Sequence, residues 1–490
     1  MSFFNRLSKF IGEYEAVAFI SGFALMAYEL VASRILAPAI GSSIYVWTSV
    51  IGIMIAALAI GYAAGGWLAD KRVATQDIAW LLIASAVAMA GTLLFYEPIL
   101  FIIGSFIQDQ RLQGIVAAIT LFMPASFLLG MISPYLARLR VKSVTTTGRS
   151  VAGLSALNSI GGIAGTFCAG FIFFSLIGSR ETLILLVVLL LCASWLVAPG
   201  HRVQWRAAVT ASLAITIVLQ FASQAHARTI ATIDTPTAHY NVQETRYNGR
   251  PVRVLTTDPY SYQSGIYTDG SKDIVFDYAK RIAELTNAAP RKDKIAILGG
   301  GAFTLPEALG KAYPQSQIDV VEIDPQLPEI SKKYFNYDQP PNVRAIGQDA
   351  RVFLREAAAN QYDLIIVDAY GSDTSIPFAL TTRQYAAELK RVAKPDATMV
   401  INIAAGTAKS CEPFLTSVMG SYAAAFANLQ LFPANHEYKG ERQNLIAVAS
   451  NERLDWVQPF GLFMSIDLAK AVPLTDNHAP TEPLAQQCRK

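Results

Sequence analysis

Lys294-Ile-Ala-Ile-Leu-Gly-Gly-Gly301, followed by Val320-Val-Glu-Ile-Asp-Pro325, decides how this chain is read. A short apolar run ends in three glycines, and a second apolar run ends in a carboxylate, Glu322, about twenty residues on. That is the layout of a nucleoside-binding βαβ unit. Glycines let the backbone approach a ligand closely, and the acid can accept hydrogen bonds from ribose hydroxyls.

Working outward, composition divides the chain. Of 490 residues 52% are apolar and only 16% charged, against roughly 25% charged in soluble domains. The imbalance is confined to the stretch between Glu15 and Ala225, whereas Arg228 to Lys490 has the mixed composition of a soluble domain. The sequence therefore predicts a membrane domain over 1–226, a small β-domain over 227–270 and an α/β domain over 271–490. A net charge of +3 gives no argument for nucleic-acid binding.

About 20 apolar residues cross a bilayer core. Seven spans are expected, at 16–38, 44–68, 78–96, 113–137, 151–177, 181–198 and 207–224. The run 98–107 begins at Pro98, is too short to cross alone, and reads as a re-entrant or interfacial piece. Gly61/Gly65 and Gly161/Gly165 have the four-residue spacing of close helix contacts, though glycine is also common in membrane helices generally. Glu29 and Arg34 lie inside the first span and, five apart, call for separate partners.

Cationic residues set the orientation. Arg6 and Lys9, Lys71 and Arg72, Arg138, Arg140, Lys142 and Arg149, then His201, Arg202 and Arg206 alternate so that the N-terminus faces the cytoplasm. Seven crossings then put the soluble domain outside. Cys411 and Cys488, the two cysteines of the soluble half, are either a disulfide of an oxidising compartment or two free thiols. Phe221-Ala-Ser-Gln-Ala-His-Ala227 has the character of a signal-type cleavage context.

In the soluble half, Asn248-Gly249 between two β-rich runs reads as a hairpin turn. Strands are expected at 294–299, 317–322, 342–346, 362–368, 397–403 and 442–449, with helices at 325–335, 350–358 and 381–392 between them. Such alternation predicts a parallel, doubly wound sheet, whose ligands bind beyond the C-terminal strand ends. Gly299, Gly300, Gly301, Glu322, Asp349 and Asp368 all fall there. As plain structure, Asp349 and Asp368 would be helix caps or turn residues. Asp476 and Glu482 read as an ordered tail.

The order of a small β-domain, the triple glycine, Val-Glu-Ile-Asp, Gly347-Gln-Asp-Ala350 and Tyr362-Asp-Leu-Ile-Ile-Val-Asp368 resembles the spermidine synthase family of aminopropyltransferases. The membrane half, with Tyr28-Glu-Leu-Val-Ala-Ser-Arg34, Trp47-Thr48 and Gly65-Gly-Trp-Leu-Ala-Asp70, is similar to a bacterial subgroup in which such a domain is fused to membrane helices, as is Leu474-Thr-Asp-Asn-His-Ala-Pro-Thr-Glu482. Gly65–Arg72 also distantly resembles a loop motif of major facilitator transporters.

The resemblance implies a multi-pass protein of the bacterial inner membrane. Its cosubstrate would be decarboxylated S-adenosylmethionine or S-adenosylmethionine, its acceptor a polyamine such as putrescine. No tightly bound cofactor, metal or nucleic acid is implied, and a homodimer is the expectation by likeness. Gly299 and Gly301, with Gly300 between them, would line the nucleoside, Glu322 would hold its ribose, and Asp349 with Ala350 would contact adenine. Gln263 would stand near the cosubstrate, Tyr278 near the amine, and Asp368 would orient and deprotonate that amine. Two positions depart from the pattern. Ala302 stands where the family has an aspartate for the donor's amino group, and Gly371 replaces a second aspartate, with Asp373 the candidate to take over. These departures keep two alternatives open: another reaction of S-adenosylmethionine, such as methyl transfer or intramolecular displacement, and a binding module on a transporter-like or scaffold bundle.

Overall fold

The computed structural model describes residues 12–40, 44–107, 109–141, 147–197, 203–212, 229–257, 262–369, 377–406, 408–435, 442–460, 467–468 and 471–488. The chain divides into two compact units, residues 1–227 with 233–239, and residues 228–232 with 240–490.

Among the described residues, six helices of the first unit are long and apolar enough to cross a membrane. They are α1 (Glu13–Ile40), α2 (Ile44–Lys71), α3 (Thr75–Phe106), α4 (Gln110–Arg140), α5 (Gly148–Phe173) and α6 (Ser179–Val197). Of the seventh expected span, residues 207–212 are helical and 213–224 lie outside the described residues. The expected re-entrant piece at 98–107 is instead the continuation of α3 through Pro98. Proline removes one helical N–H there, but Leu100 and Ile103 beyond it are buried, so packing carries the helix onward.

Both glycine pairs make close helix contacts. A Cβ at Gly61 or Gly65 would run into the main chain of α4 at Phe127 or Met131, and one at Gly161 or Gly165 into α1 at Phe19 or Phe23. Glu15 and Arg140 pair at 2.9 Å, so the start of α1 and the end of α4 share one end of the bundle. At the opposite end Arg34 donates to the carbonyls of Thr235 (3.0 Å) and Pro236 (2.7 Å), and its guanidinium lies 5.1 Å from the Phe174 ring centroid. The Asp234 carboxylate there accepts from the Ser179 N–H (2.7 Å), at the N-terminus of α6, and lies 2.8 Å from His239 Nδ1. These bonds hold Asp234 below the ordinary carboxylate range against the upward push of burial. Segment 233–239 is thus fastened to the end of the bundle away from the start of α1.

The second unit begins with a four-stranded sheet in the order β1 (Thr229–Asp234), β2 (His239–Tyr247), β3 (Arg250–Thr256), β4 (Ser264–Tyr267). Asn248 and Gly249, both at positive φ, make the expected hairpin turn between β2 and β3. After α7 (Asp277–Ala288) the chain alternates β5 (Lys294–Leu298), α8 (Thr304–Ala312), β6 (Gln317–Glu322), α9 (Leu327–Phe335), β7 (Val343–Gly347), α10 (Ala350–Glu356), β8 (Tyr362–Val367), α11 (Arg383–Val392) and β9 (Ala393–Gly406). Helix α12 (Glu412–Ala423), β10 (Asn428–Pro433), β11 (Arg442–Ser450) and α13 (Thr481–Gln487) complete it. The seven-stranded sheet has the order β10-β11-β9-β8-β5-β6-β7.

The expectation of a parallel sheet holds for β5 to β9 and fails at the edge, where β11 and β10 run antiparallel. A hairpin-like return needs no crossover helix, and β10, only half-buried over Asn428, Leu429 and Gln430, lacks the continuous apolar run that marked the central strands.

The C-terminal segment is ordered by specific bonds. Arg351, buried at the start of α10, makes a fork to Asp476 (Nη1–Oδ1 2.8 Å, Nη2–Oδ2 2.6 Å) and reaches Glu388 at 3.2 Å. Asp476 also accepts from Thr382 Oγ1 (2.7 Å). A disulfide joins Cys411 at the head of α12 to Cys488, settling the pairing the sequence left open. Arg351 holds the Asp476 carboxyl below its usual range. Its stabilising contribution is therefore complete above the unfolded-state pKa and is lost as pH falls through the lower native one. Asp476→Ala should weaken the docking of this segment by about 2 kcal/mol, read as faster hydrogen exchange at amides 474–482 in the full chain.

Candidate nucleoside and amine site

The site is assembled at the C-terminal ends of β5, β6 and β8. Strand β5 leaves the sheet through Gly299 (φ +101°), whose N–H donates to Val321 O at 2.8 Å. A Cβ on Gly299 would strike the Asp368 carbonyl, so only glycine lets β5 and β8 close up at this level. Gly301 (φ +52°) faces the Ser264 hydroxyl in the same way, and that hydroxyl accepts the Ala302 N–H at 3.1 Å.

Glu322 organises the loop. Its Oε2 accepts from Gly300 N (2.8 Å) and Gly301 N (3.3 Å), and its Oε1 from Asp324 N (3.0 Å). A carboxylate offers about four acceptor positions, so these bonds leave room for about one more donor such as a sugar hydroxyl. Burial pushes its carboxyl up from the usual range, against the pull of the three N–H groups.

Asp368 ends β8. Its N–H donates to Leu298 O (2.8 Å), and its Oδ1 accepts from Asn402 Nδ2 at 2.7 Å. Asn402 Oδ1 in turn accepts from Asn444 Nδ2 at 2.9 Å. Burial is the main force raising the Asp368 carboxyl to about 7, with the Asn402 bond opposing it and the charge of Glu322 adding to it. A carboxylate with some remaining exposure and a pKa near neutrality is suited to accept a proton from a bound amine.

Gln263 and Tyr278 come together. The Tyr278 hydroxyl donates to Gln263 O (2.5 Å), and the Gln263 amide donates to Thr257 Oγ1 (2.9 Å). Tyr278 stacks on Phe276 (6.2 Å, 8°), which stacks on Tyr262 (5.9 Å, 21°). Gln263 precedes Ser264, so this aromatic wall is tied by one hydroxyl to the glycine loop.

Asp349 caps α10, accepting from Arg351 N (2.9 Å) and Val352 N (3.0 Å), with its side chain exposed and Ala350 buried behind it. Gln348 N donates to Glu322 O, which keeps this turn beside the end of β6. Asp373 and Gly371 lie outside the described residues. Ala302 is buried and offers no charged group where the resemblance implies one. Sequence reading missed Asn402, Asn444 and Ser264. The two asparagines interrupt otherwise apolar strands, Met399-Val-Ile-Asn-Ile and Gln443-Asn-Leu-Ile-Ala, and that interruption was their signal.

Residues 275–413 match the spermine/spermidine synthase domain. A polyamine aminopropyltransferase of Vibrio vulnificus (strain CMCP6) is 34% identical over 133 residues, 27% of this chain and 44% of that protein. Putrescine N-methyltransferase 1 of Nicotiana tabacum is 39% identical over 101 residues, 19% of this chain and 26% of that protein. The chain thus spans less than half the length of these curated relatives. Among solved structures, a probable spermidine synthase from Corynebacterium glutamicum ATCC 13032 aligns with TM-score 0.40 at 22% identity, covering 46% of this chain and 81% of that one. The glycine loop, Glu322 and Asp368 all fall inside the matched stretch. Over residues 275–413 the C-terminal unit is similar to the spermine/spermidine synthase domain.

Proposed function

We propose that this protein is a membrane-anchored aminopropyltransferase. It would move an aminopropyl group from decarboxylated S-adenosylmethionine to a polyamine acceptor such as putrescine and release methylthioadenosine. The observation that carries this reading is Asp368: a carboxylate at a strand end, aimed by Asn402 and Asn444, raised to about 7, and beside a glycine loop fit for a nucleoside. An alkylamine of pKa ~10.4 is protonated at neutral pH and cannot attack. Asp368 takes that proton as the amine nitrogen bonds to the carbon next to sulfur. The carbon–sulfur bond breaks, its electron pair stays on sulfur, and a neutral thioether leaves without needing an acid. Glu322 would receive a ribose hydroxyl, Gly299 to Gly301 would line the nucleoside, and Asp349 with Ala350 would face adenine. Tyr278 and Gln263 would bound the amine.

Methyl transfer from S-adenosylmethionine itself is the second reading. It is favoured by Ala302, since no acid follows the glycines to hold the amino group of an aminopropyl donor, and by the matched N-methyltransferase. The product distinguishes the two: methylthioadenosine for the first, S-adenosylhomocysteine for the second.

The six helices are read as crossing the cytoplasmic membrane, with the catalytic domain on the side opposite the N-terminus. Segment 233–239 is bonded to the ends of α1 and α6 remote from the start of α1. Cationic residues cluster at the other end, and the Cys411–Cys488 disulfide suits an oxidising compartment.

Asp368→Asn should reduce turnover by about a hundredfold or more, measured as nucleoside product released by the purified full chain. Because the base acts ionised, kcat/KM should rise with pH through about 7. Asn402→Ala removes a bond that favours the carboxylate and should move this limb to higher pH; an unmoved limb argues against Asp368 as the base. Alkaline phosphatase fused after Lys490 should be active in intact bacteria. An inactive phosphatase fusion, with β-galactosidase fused at the same position active, would overturn the assigned side.

A further inference from the structure

The apolar half is built twice. Ile60-Gly61-x-x-Ala64-Gly65 in α2 returns as Ile160-Gly161-x-x-Ala164-Gly165 in α5, 100 residues on. The surfaces these glycines touch correspond as well. Gly61 and Gly65 abut α4 at Phe127 and Met131, whereas Gly161 and Gly165 abut α1 at Phe19 and Phe23, 108 residues earlier. Gly130 of α4 faces the Leu58 carbonyl, and its counterpart Gly22 of α1 faces that of Asn158. The rest of the packing follows the same exchange. Helix α1 lies on α5 as α4 lies on α2, α1 on α6 as α4 on α3, and the α3–α6 contact maps onto itself. Each repeat has three helices, so the second runs upside down relative to the first. Inverted repeats of this kind underlie many secondary transporters, in which the solute is held near mid-membrane where the repeats meet.

One ionisable side chain breaks the symmetry at that meeting place. Glu29 continues the face of α1 that carries Gly22 and Met26 against α5, while its counterpart in α4 is Ala137. It is half-buried, and among the described residues its carboxylate has no hydrogen bond or ion pair. It stands about 12 Å along the helix from Ala37, the end of the span. Two π-helical turns flank this level, Ala118–Phe122 in α4 and Ala169–Phe173 in α5. Leu121 O of the first accepts from Tyr28 (3.1 Å) and Thr92 (2.6 Å), and Gly170 of the second lies against Leu30. Such turns are frequent at functional sites. A bare carboxylate inside hydrocarbon costs about 2.5–3.5 kcal/mol even on the mildest scale, so Glu29 must hold a proton or a cation.

We propose that the six-helix half is an inverted-repeat transport unit that binds a small protonated amine at Glu29. This rests on the helices crossing a membrane and is independent of the reaction at Asp368. The test uses the full chain in sealed liposomes with labelled putrescine and no sulfonium nucleoside, so that failure of the transferase reading leaves it intact. Uptake should saturate with putrescine, and Glu29→Gln should reduce it at least about tenfold, a loss of about 1.4 kcal/mol. Wild-type uptake no greater than that of empty liposomes, or equal uptake by both proteins, overturns the proposal. A second measurement needs no variant. Dicyclohexylcarbodiimide should label Glu29 in the wild-type protein and millimolar putrescine should suppress that labelling; labelling indifferent to putrescine overturns it.

Discussion

The strand-end site of the second unit depends on one buried carboxylate. Glu322 gathers the N–H groups of Gly300, Gly301 and Asp324, which would otherwise be orphan donors at the end of a parallel sheet. A buried charge is tolerated only when its hydrogen-bonding capacity is used, so loop and acid stabilise each other. Because Glu322 pins the loop, Gly299 can rest on the Asp368 backbone and Gly301 on Ser264. The walls of the site from β4, β5, β6 and β8 are therefore set by a single set of contacts. Such preorganisation lowers the further ordering that binding a ligand requires.

A comparable constraint governs the apolar half. Helix pairs α1–α5 and α2–α4 approach until glycine is the only residue that fits, and these contacts exclude sliding of one helix past the other by fractions of a turn. The two pairs are equivalent, so a shift at one has an equally good counterpart at the other. The acid that spoils this equivalence, Glu29, is the one charged group left without a protein partner in the middle of the described spans. Acids at the strand ends of the second unit and an unpaired carboxylate among the apolar helices thus occur in one chain.

Much of this was legible in the sequence because it depends on local pattern. Apolar runs of helical length marked the six long helices, glycine and turn chemistry marked the β2–β3 hairpin, and strand periodicity marked β5 to β9 within a residue or two at most ends. The antiparallel edge was not legible, since β10 owes its pairing to β11 rather than to its own composition. Pro98 misled for a related reason: a proline predicts a helix end from local bonding, but buried contacts beyond it outweighed one lost bond. Among site residues, Glu322 and Asp368 were visible as acids closing apolar runs. Asn402, Asn444 and Ser264 come from strands far away in the chain and acquire meaning only by what they touch.

The sequence by itself determined the two-part organisation, the parallel core of the second unit and the acids at its strand ends, because hydrophobic periodicity and glycine conformation are properties of neighbouring residues. Only the tertiary structure decided that Asp368 is aimed by a pair of asparagines, that Asp349 spends its bonds capping a helix, that Cys411 meets Cys488, and that segment 233–239 is fastened to the far end of the bundle. Each of these is a bond between residues distant in the chain, whose energy depends on distance and burial that no local pattern encodes.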